Sequence, residues 1–543
     1  MKKLVAMQKA LLKFINHYRV FEFSTIDRGI LPTPPTINER YLYAQRHINF
    51  FMVASTISFV CVTISMMNFV FNHPFLWVLL LFLGLNIIYF IVSFIVNYRT
   101  DDFDLEHHRW NVRNWRPSSY PTIDVFLPTA GEDVRVIENT WKGVQAMATA
   151  YKGVVTVYAL DDGDSAELRQ LAKRYGYNYE VRPDRGYYKK AGNLRHGFSV
   201  SKSDFIVIFD ADFTPTKDFL YETLPYFRQK SVGIVQTPQY FSVNLSQNWL
   251  ERGAGAVQEL FYRFSQVSRQ SNDASICVGS NAVYRREALN STGGTALIEH
   301  SEDVHTGFNI RMHGWKVLYI PIILATGLCP STMQAFFKQQ YRWCLGSMSL
   351  LSSAKFWQMK LRHKTRMSYM SGFLYYIHTG LMSIYVPVVP LILLIFLHEK
   401  IVIMNYLLVL PAFIFSQIIY PLWHKSLYGV EAWATKTVYS WAHLFAITDH
   451  IIGRPMGWQS TGSKTRKNYR YTMFRLFQAL FNFVPGVLWV VLAASHLIST
   501  DNIGYAPMLV SGIYYLLIAA KITFHYERSM PQVKLKPHLV VAT

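Results

Sequence analysis

The chain predicts an α/β domain carried on a bundle of membrane-spanning helices. Three observations predict it. Apolar runs long enough to cross a bilayer stand on both sides of a soluble middle. Short apolar runs in that middle end in acidic turns, with helical patterns between them. Lys and Arg gather beside the apolar runs and leave the opposite loops almost bare.

The elements follow in chain order. At 543 residues the chain is longer than one typical domain. Met1 to Ile15 is basic and amphipathic, and it lacks the apolar core and cleavage site of a signal peptide. It predicts a helix lying on the cytoplasmic leaflet, within an N-terminal amphipathic segment over 1–48. Asn49 to Phe71 and Phe75 to Val96, joined by the turn Asn72-His73-Pro74, predict a transmembrane hairpin over 49–97. A soluble domain follows over 98–330, and interface helices over 331–367. Apolar spans return at Ser368 to Leu397 and Ile401 to Trp423, within 368–423. An interface helix and a loop occupy 424–472. Two further spans, Phe474 to Leu497 and Tyr505 to Ile522, fall within 473–525, and a cytoplasmic tail covers 526–543. Six spans are expected, the third kinked or broken by Pro387 and Pro390.

Charge sets the orientation. Eight Lys and Arg from Lys2 to Arg46 precede the first span, and seven lie between Lys425 and Arg470, whereas the outer loops hold only Lys400. The positive-inside rule places both termini and the soluble domain in the cytoplasm, as in a multi-pass protein of the plasma (inner) membrane. The net charge of +20 is accounted for chiefly by lipid headgroups, since no nucleic-acid motif accompanies it. Cys61, Cys277, Cys329 and Cys344 have no metal-binding or disulfide spacing and read as small apolar residues.

In the soluble stretch, Ile123 to Thr129, Val154 to Leu160, Asp204 to Phe209 and Gly233 to Pro238 predict strands of a mostly parallel sheet, with a helix at Ser165 to Tyr175. Ligands bind at the carboxyl ends of such strands. Asp210-Ala211-Asp212 ends one strand, and two carboxylates so spaced can hold one hard divalent cation against a diphosphate. Taken alone, a D-x-D is as well explained by a solvated turn. Asp161-Asp162-Gly163 suits either a base or ribose contact or a plain turn. Lys189-Lys190-Ala191-Gly192-Asn193 suits a phosphate or a basic helix start. Ser301-Glu302-Asp303 offers a general base for an acceptor hydroxyl, or a helix start capped by Ser301. Gln339-x-x-Arg342-Trp343 offers a phosphate clamp and a sugar-stacking indole, or an interfacial helix.

In this order the motifs resemble the processive family-2 glycosyltransferases, closest to the bacterial cellulose synthase catalytic subunit. Hyaluronan and chitin synthases are more distant relatives. The resemblance covers roughly Tyr98 to Ala520. It implies a GT-A glycosyltransferase fold, inserted among the membrane helices, and a UDP-sugar donor, UDP-glucose in the closest relatives. It implies that Thr129, Glu132, Asp161 and Asp162 contact the nucleotide portion and that Lys190 lies near the diphosphate. Asp210 and Asp212 would hold Mg2+ or Mn2+, and Asp303 would act as the base. Gln339 and Arg342 would grip the diphosphate, and Trp343 would stack on the growing polysaccharide chain. Thr461 and Lys464, around Gly462-Ser463, would belong to a gating loop. A single base opposite the leaving group implies one displacement and inversion. A non-processive transferase to a lipid carrier, another polysaccharide synthase, and a transporter with a nucleotide-sugar domain are the alternatives.

The chain also departs from the family pattern. Pro128-Thr129-Ala130-Gly131-Glu132 lacks the usual tyrosine, and Ile276-Cys277-Val278-Gly279-Ser280 has Val278 where the family has cysteine. Fewer N-terminal spans and no fused cyclic di-GMP domain are expected.

Overall fold

The computed structural model of the protein describes residues 31–457 and 469–525. The surface helix expected at Met1 to Ile15, the loop carrying Thr461 and Lys464, and the tail over 526–543 lie outside them.

The soluble domain is built on a seven-stranded sheet. Its strands are β1 (Ile123–Thr129), β2 (Val155–Asp161), β3 (Asn178–Glu180), β4 (Phe205–Ile208), β6 (Val232–Gln236), β7 (Ala282–Arg285) and β8 (Lys316–Tyr319), in the spatial order β3-β2-β1-β4-β7-β6-β8. A small second sheet pairs β5 (Thr214–Pro215) with β9 (Ala325–Thr326). β1 and β4 are buried along their whole length, as a strand covered on both faces requires. The four expected strands form within a residue or two of their expected bounds. The sheet is mixed, because β7 runs antiparallel between β4 and β6. In β1 and β2, Thr129 lies beside Asp161, and β4 pairs with β1 on the other side. The carboxyl ends of β1, β2 and β4 therefore open on the same edge.

Among the described residues, five helices are long and apolar enough to cross a membrane. They are α1 (Ile48–Asn72), α2 (Leu80–Asn97, entered through a 3-10 turn from Pro74), α10 (His363–Phe396), α12 (Tyr469–Thr500) and α13 (Tyr505–Thr523). On α1, Phe50, Val53, Ile57, Val60 and Ile64 are exposed at alternating spacings of three and four. That stripe would be costly in water and suits lipid.

The expected span at Ile401 to Trp423 is corrected. It is a 3-10 turn at Ile403–Leu407 followed by a shorter apolar helix, Leu410–Trp423, with a π turn inside it. Fourteen residues reach only about 21 Å, short of the bilayer core. Pro411 and Pro421 each occupy the first turn of a helical piece, where a missing N–H is tolerated. By contrast, α10 runs unbroken through Pro387 and Pro390.

The further helices include α3 (Val134–Ala150), α4 (Ala166–Tyr175) and α5 (Lys189–Val200), which pack on the strands, and α6 (Trp249–Glu259), α7 (Gln266–Ser271), α8 (Glu302–Met312), α9 (Met333–Leu351) and α11 (Val430–Ile452). α4 starts at the cap Ser165, whose hydroxyl accepts from the Leu168 N–H. α11 packs along α6, α9 and α10. One hydrophobic core joins Val125 and Val207 of the sheet to Phe337 of α9 and Trp441 of α11, so the two halves share their packing.

Candidate functional site

A cavity of about 1150 Å³ opens at the carboxyl edge of the sheet and continues between the membrane helices. At the sheet end it is lined by Thr129, Glu132, Asp162, Lys190, Asp210, Asp212, Glu302, Asp303, Gln339, Arg342 and Trp343. At the other end its wall includes Ser55 and Thr56 of α1, Tyr89 and Ser93 of α2, and Tyr375 and Tyr376 of α10. Of the expected site residues within the described chain, only Asp161 is absent from this wall.

Asp161 is held by other means. Its carboxylate accepts from the Gly163 and Ser165 N–H groups (both 2.8 Å), the Tyr179 hydroxyl (2.7 Å) and the Thr129 hydroxyl (3.2 Å). With four donors it braces the turn after β2. Asp162 faces the cavity and takes both arms of the buried Arg182 at 2.7 Å. A Cβ at Gly192 would collide with that same guanidinium, so the glycine of Lys190-Ala191-Gly192-Asn193 lets α5 close on the pair.

Asp210 and Asp212 leave β4 on a turn fixed by the Thr140 hydroxyl on the Ala211 carbonyl (2.9 Å) and by the Asp210 N–H on Ser280 Oγ (2.9 Å). Lys190 Nζ lies 2.5 Å from Asp210 and 3.7 Å from Glu302, and also donates to the Gly279 carbonyl at 3.0 Å. Burial opposes the charge on Lys190, but the two carboxylates outweigh it and hold its pKa above the usual value. Asp212 makes no ion pair among the described residues, and Lys190 offsets its burial only in part. Burial, with Asp210 and Glu132 adding repulsion, lifts its pKa to about 7. This surplus of buried negative charge fits a divalent cation. Among the described residues no three His, Cys, Asp or Glu side chains converge to encage a metal, so phosphate oxygens and water would complete the shell.

Asp303 sits in the first turn of α8. Ser301 precedes it in the left-handed region, φ 55°, and makes no side-chain cap. The capping expected of Ser301 is therefore corrected: its hydroxyl is aimed at the Arg342 carbonyl of α9, 3.4 Å away. Burial, reinforced by Glu302 and opposed by Lys190 and the Val304 N–H, raises Asp303 to about 7. Such a value suits a base working near neutral pH.

Two glycines place these groups: Gly279, legible in the sequence only as part of its segment, and Gly346, which nothing in the sequence singles out. Gly279 has φ +76°, and a Cβ there would stand 2.9 Å from the Asp303 carboxylate. Gly346 leaves the space on α9 that Ser301 fills. α9 begins at Thr332, whose hydroxyl accepts from the Ala335 N–H. Gln339, Arg342, Trp343 and Gly346 then fall at helical spacings of three and four and share one face. Tyr341 points the other way, to Asp449 at 2.8 Å. Burial pulls the Arg342 guanidinium down to about 10, against the attraction of Glu302 and Asp210. A cation so placed is poised to meet an anion in the cavity.

Residues 205–419 match the family model described as glycosyl transferase family group 2. The chain is 33% identical over 237 residues to the UDP-forming cellulose synthase catalytic subunit of Pseudomonas fluorescens, covering 42% of this chain and 31% of that one. It is 34% identical over 245 residues to that of Komagataeibacter sucrofermentans, covering 44% and 32%. The chain thus spans about a third of the length of the curated relatives it matches. Among solved structures, a mannosyltransferase of Pyrobaculum calidifontis in complex with GDP-Man and Mn2+ covers 82% of this chain and 98% of its own. That likeness has a TM-score of 0.40 at 12% identity. The stretch that matches the family model begins at β4 and takes in Asp210, Asp303, Arg342 and Trp343, and over some 240 residues the chain is about a third identical to bacterial cellulose synthase catalytic subunits.

Proposed function

We propose that this membrane glycosyltransferase is processive and inverting, polymerises glucose from UDP-glucose into a β-glucan, and passes the polymer through its own helices. The observation that carries the reading is the single cavity joining Asp212, Asp303 and Trp343 to α1, α2 and α10. A polar polymer cannot cross hydrocarbon without losing its hydration, so a protein-lined path next to the transfer site is what synthesis with export needs. The UDP-forming relatives support a uridine donor. The basic loops support a catalytic domain on the cytoplasmic side of the plasma membrane.

In this reading Thr129, Glu132 and Asp162 flank the nucleotide, with Asp161 bracing the turn beneath them. Asp210 and Asp212 would hold Mg2+ or Mn2+, which when bound supplies positive charge to the departing diphosphate. Lys190, now occupied with Asp210, is released to the phosphate side, and Gln339 and Arg342 grip the same group. Trp343 presents its ring to the terminal sugar of the chain. Asp303 takes the proton of the acceptor hydroxyl as that oxygen attacks the anomeric carbon from the face opposite the diphosphate, inverting the centre in one displacement. Thr461 and Lys464 belong to the loop we assign to gating. Synthesis of another polysaccharide, hyaluronan- or chitin-like or capsular, is the second reading, favoured by Val278 in the acceptor segment.

The test is purified full-length protein in nanodiscs with UDP-glucose and Mg2+ or Mn2+, followed by UDP release and product size. A polymer that yields glucose on hydrolysis is expected. No UDP release, or a product that stops at one sugar on a lipid, would overturn the proposal.

A further inference from the structure

Six arginines are buried among the described residues: Arg46, Arg182, Arg252, Arg263, Arg269 and Arg311. Five meet a carboxylate, namely Asp102 (2.7 Å), Asp162 (2.7 Å), Glu431 (2.8 Å), Glu259 (2.7 Å) and Asp273 (2.8 Å). Arg269 does not. Its Nη1 has no hydrogen-bond partner among the described residues, and the groups that act on its charge are the hydroxyls of Tyr369 and Tyr376. Burial pulls it down to about 10. A buried cation is costly unless it is paired, so five are paired and the sixth faces a cavity.

Its position is specific. Arg269 lies on α7, which is tied to the end of α2 by Asn272 Nδ2 on the Val96 carbonyl at 2.8 Å. Its guanidinium lies 6.0 Å from the Tyr369 ring. It reaches α10 at Gly372, where a Cβ would collide with Nη2. Arg269, Tyr369, Gly372 and Tyr376 all line the cavity, where it passes from the transfer site to the membrane helices. The described wall residues from α1, α2 and α10 are all uncharged. A planar fork in such surroundings can donate to two neighbouring oxygens of one sugar.

We propose that Arg269 binds the outgoing chain, donating to hydroxyl or carboxylate oxygens of a sugar that has left the transfer site. The inference rests on the processive reading above. A chain held there leaves the enzyme more slowly, and product length follows the ratio of transfer to release.

The test compares wild type with Arg269→Met, Arg269→Lys and Gly372→Ala in nanodiscs, reading product length, the initial rate of UDP release and Tm. Gly372→Ala evicts the guanidinium while improving helix propensity, so it covers the case in which Arg269→Met does not fold. Product length is expected to fall about tenfold in Arg269→Met and in Gly372→Ala, further than the initial rate, with Arg269→Lys partly restoring it. Sugar analysis separates the two acceptors: a neutral polymer assigns the hydroxyls, and a uronate-bearing one assigns the carboxylates. Products of wild-type length from both Arg269→Met and Gly372→Ala would overturn the proposal. A wild type that makes no polymer would instead overturn the parent reading, and this inference with it.

Discussion

The two ends of the cavity differ in how they treat charge. At the sheet end Asp210, Asp212, Glu302 and Asp303 stand with Lys190 and Arg342, and burial sets their charges against one another. At the membrane end the wall is uncharged, with hydroxyls such as Ser55, Thr56 and Tyr376 set among apolar side chains such as Phe51 and Phe90, and Arg269 stands at the threshold. In the proposed reaction, transfer must neutralise a diphosphate and move a proton, which needs charges held in place away from water. Passage needs hydrogen bonds and ring faces that let go as readily as they hold. One cavity can serve both only if the charged groups are confined to one end.

The comparison breaks most sharply at Asp303. Asp303→Asn keeps the shape and removes the proposed base, so turnover should fall by about 10³-fold while UDP-glucose still binds, read by UDP release beside calorimetry. Loss of binding in step with turnover would move Asp303 out of the base role. Asp212→Asn should cost about 10²-fold in turnover, with weaker donor binding in Mg2+. The same change should raise the Tm of metal-free protein. The folded state holds the Asp212 proton up to about pH 7, whereas the unfolded chain releases it near pH 4, so the wild type loses stability across that window as pH rises. Gly279→Ala strains a positive φ and pushes on the Asp303 carboxylate, so kcat should drop by about 10²-fold with binding kept. The smallest effect comes from pH. Asp303 is protonated below about pH 7, so the acid limb of kcat should have its midpoint there and fall about tenfold per unit below it.

The charged end was legible in the sequence because strands announce themselves as apolar runs, and the acidic turns after them can only sit at the sheet edge. The order of motifs carried Asp303, Arg342 and Trp343. The difference between Asp161 and Asp162 was not legible: both follow β2, and only the donors around Asp161 show that it faces inward. Gly346 was missed, and Gly279 was read only as part of its motif, because their role is an approach between segments distant in the chain. β7 was missed because four residues give too little periodicity to read. The membrane end was read through hydropathy, which ignores where a helix can start. Pro411 and Pro421 open new helical pieces, whereas Pro387 and Pro390 sit inside one helix, so proline alone does not tell a break from a tolerated residue.

The central claim is that transfer and passage share one path. Full-length protein in sealed proteoliposomes, given external UDP-glucose and Mg2+, tests it directly. Polymer made under these conditions should resist an added hydrolase that digests the purified polymer, and become sensitive once detergent opens the vesicles. Polymer digested equally well before detergent is added would contradict the claim.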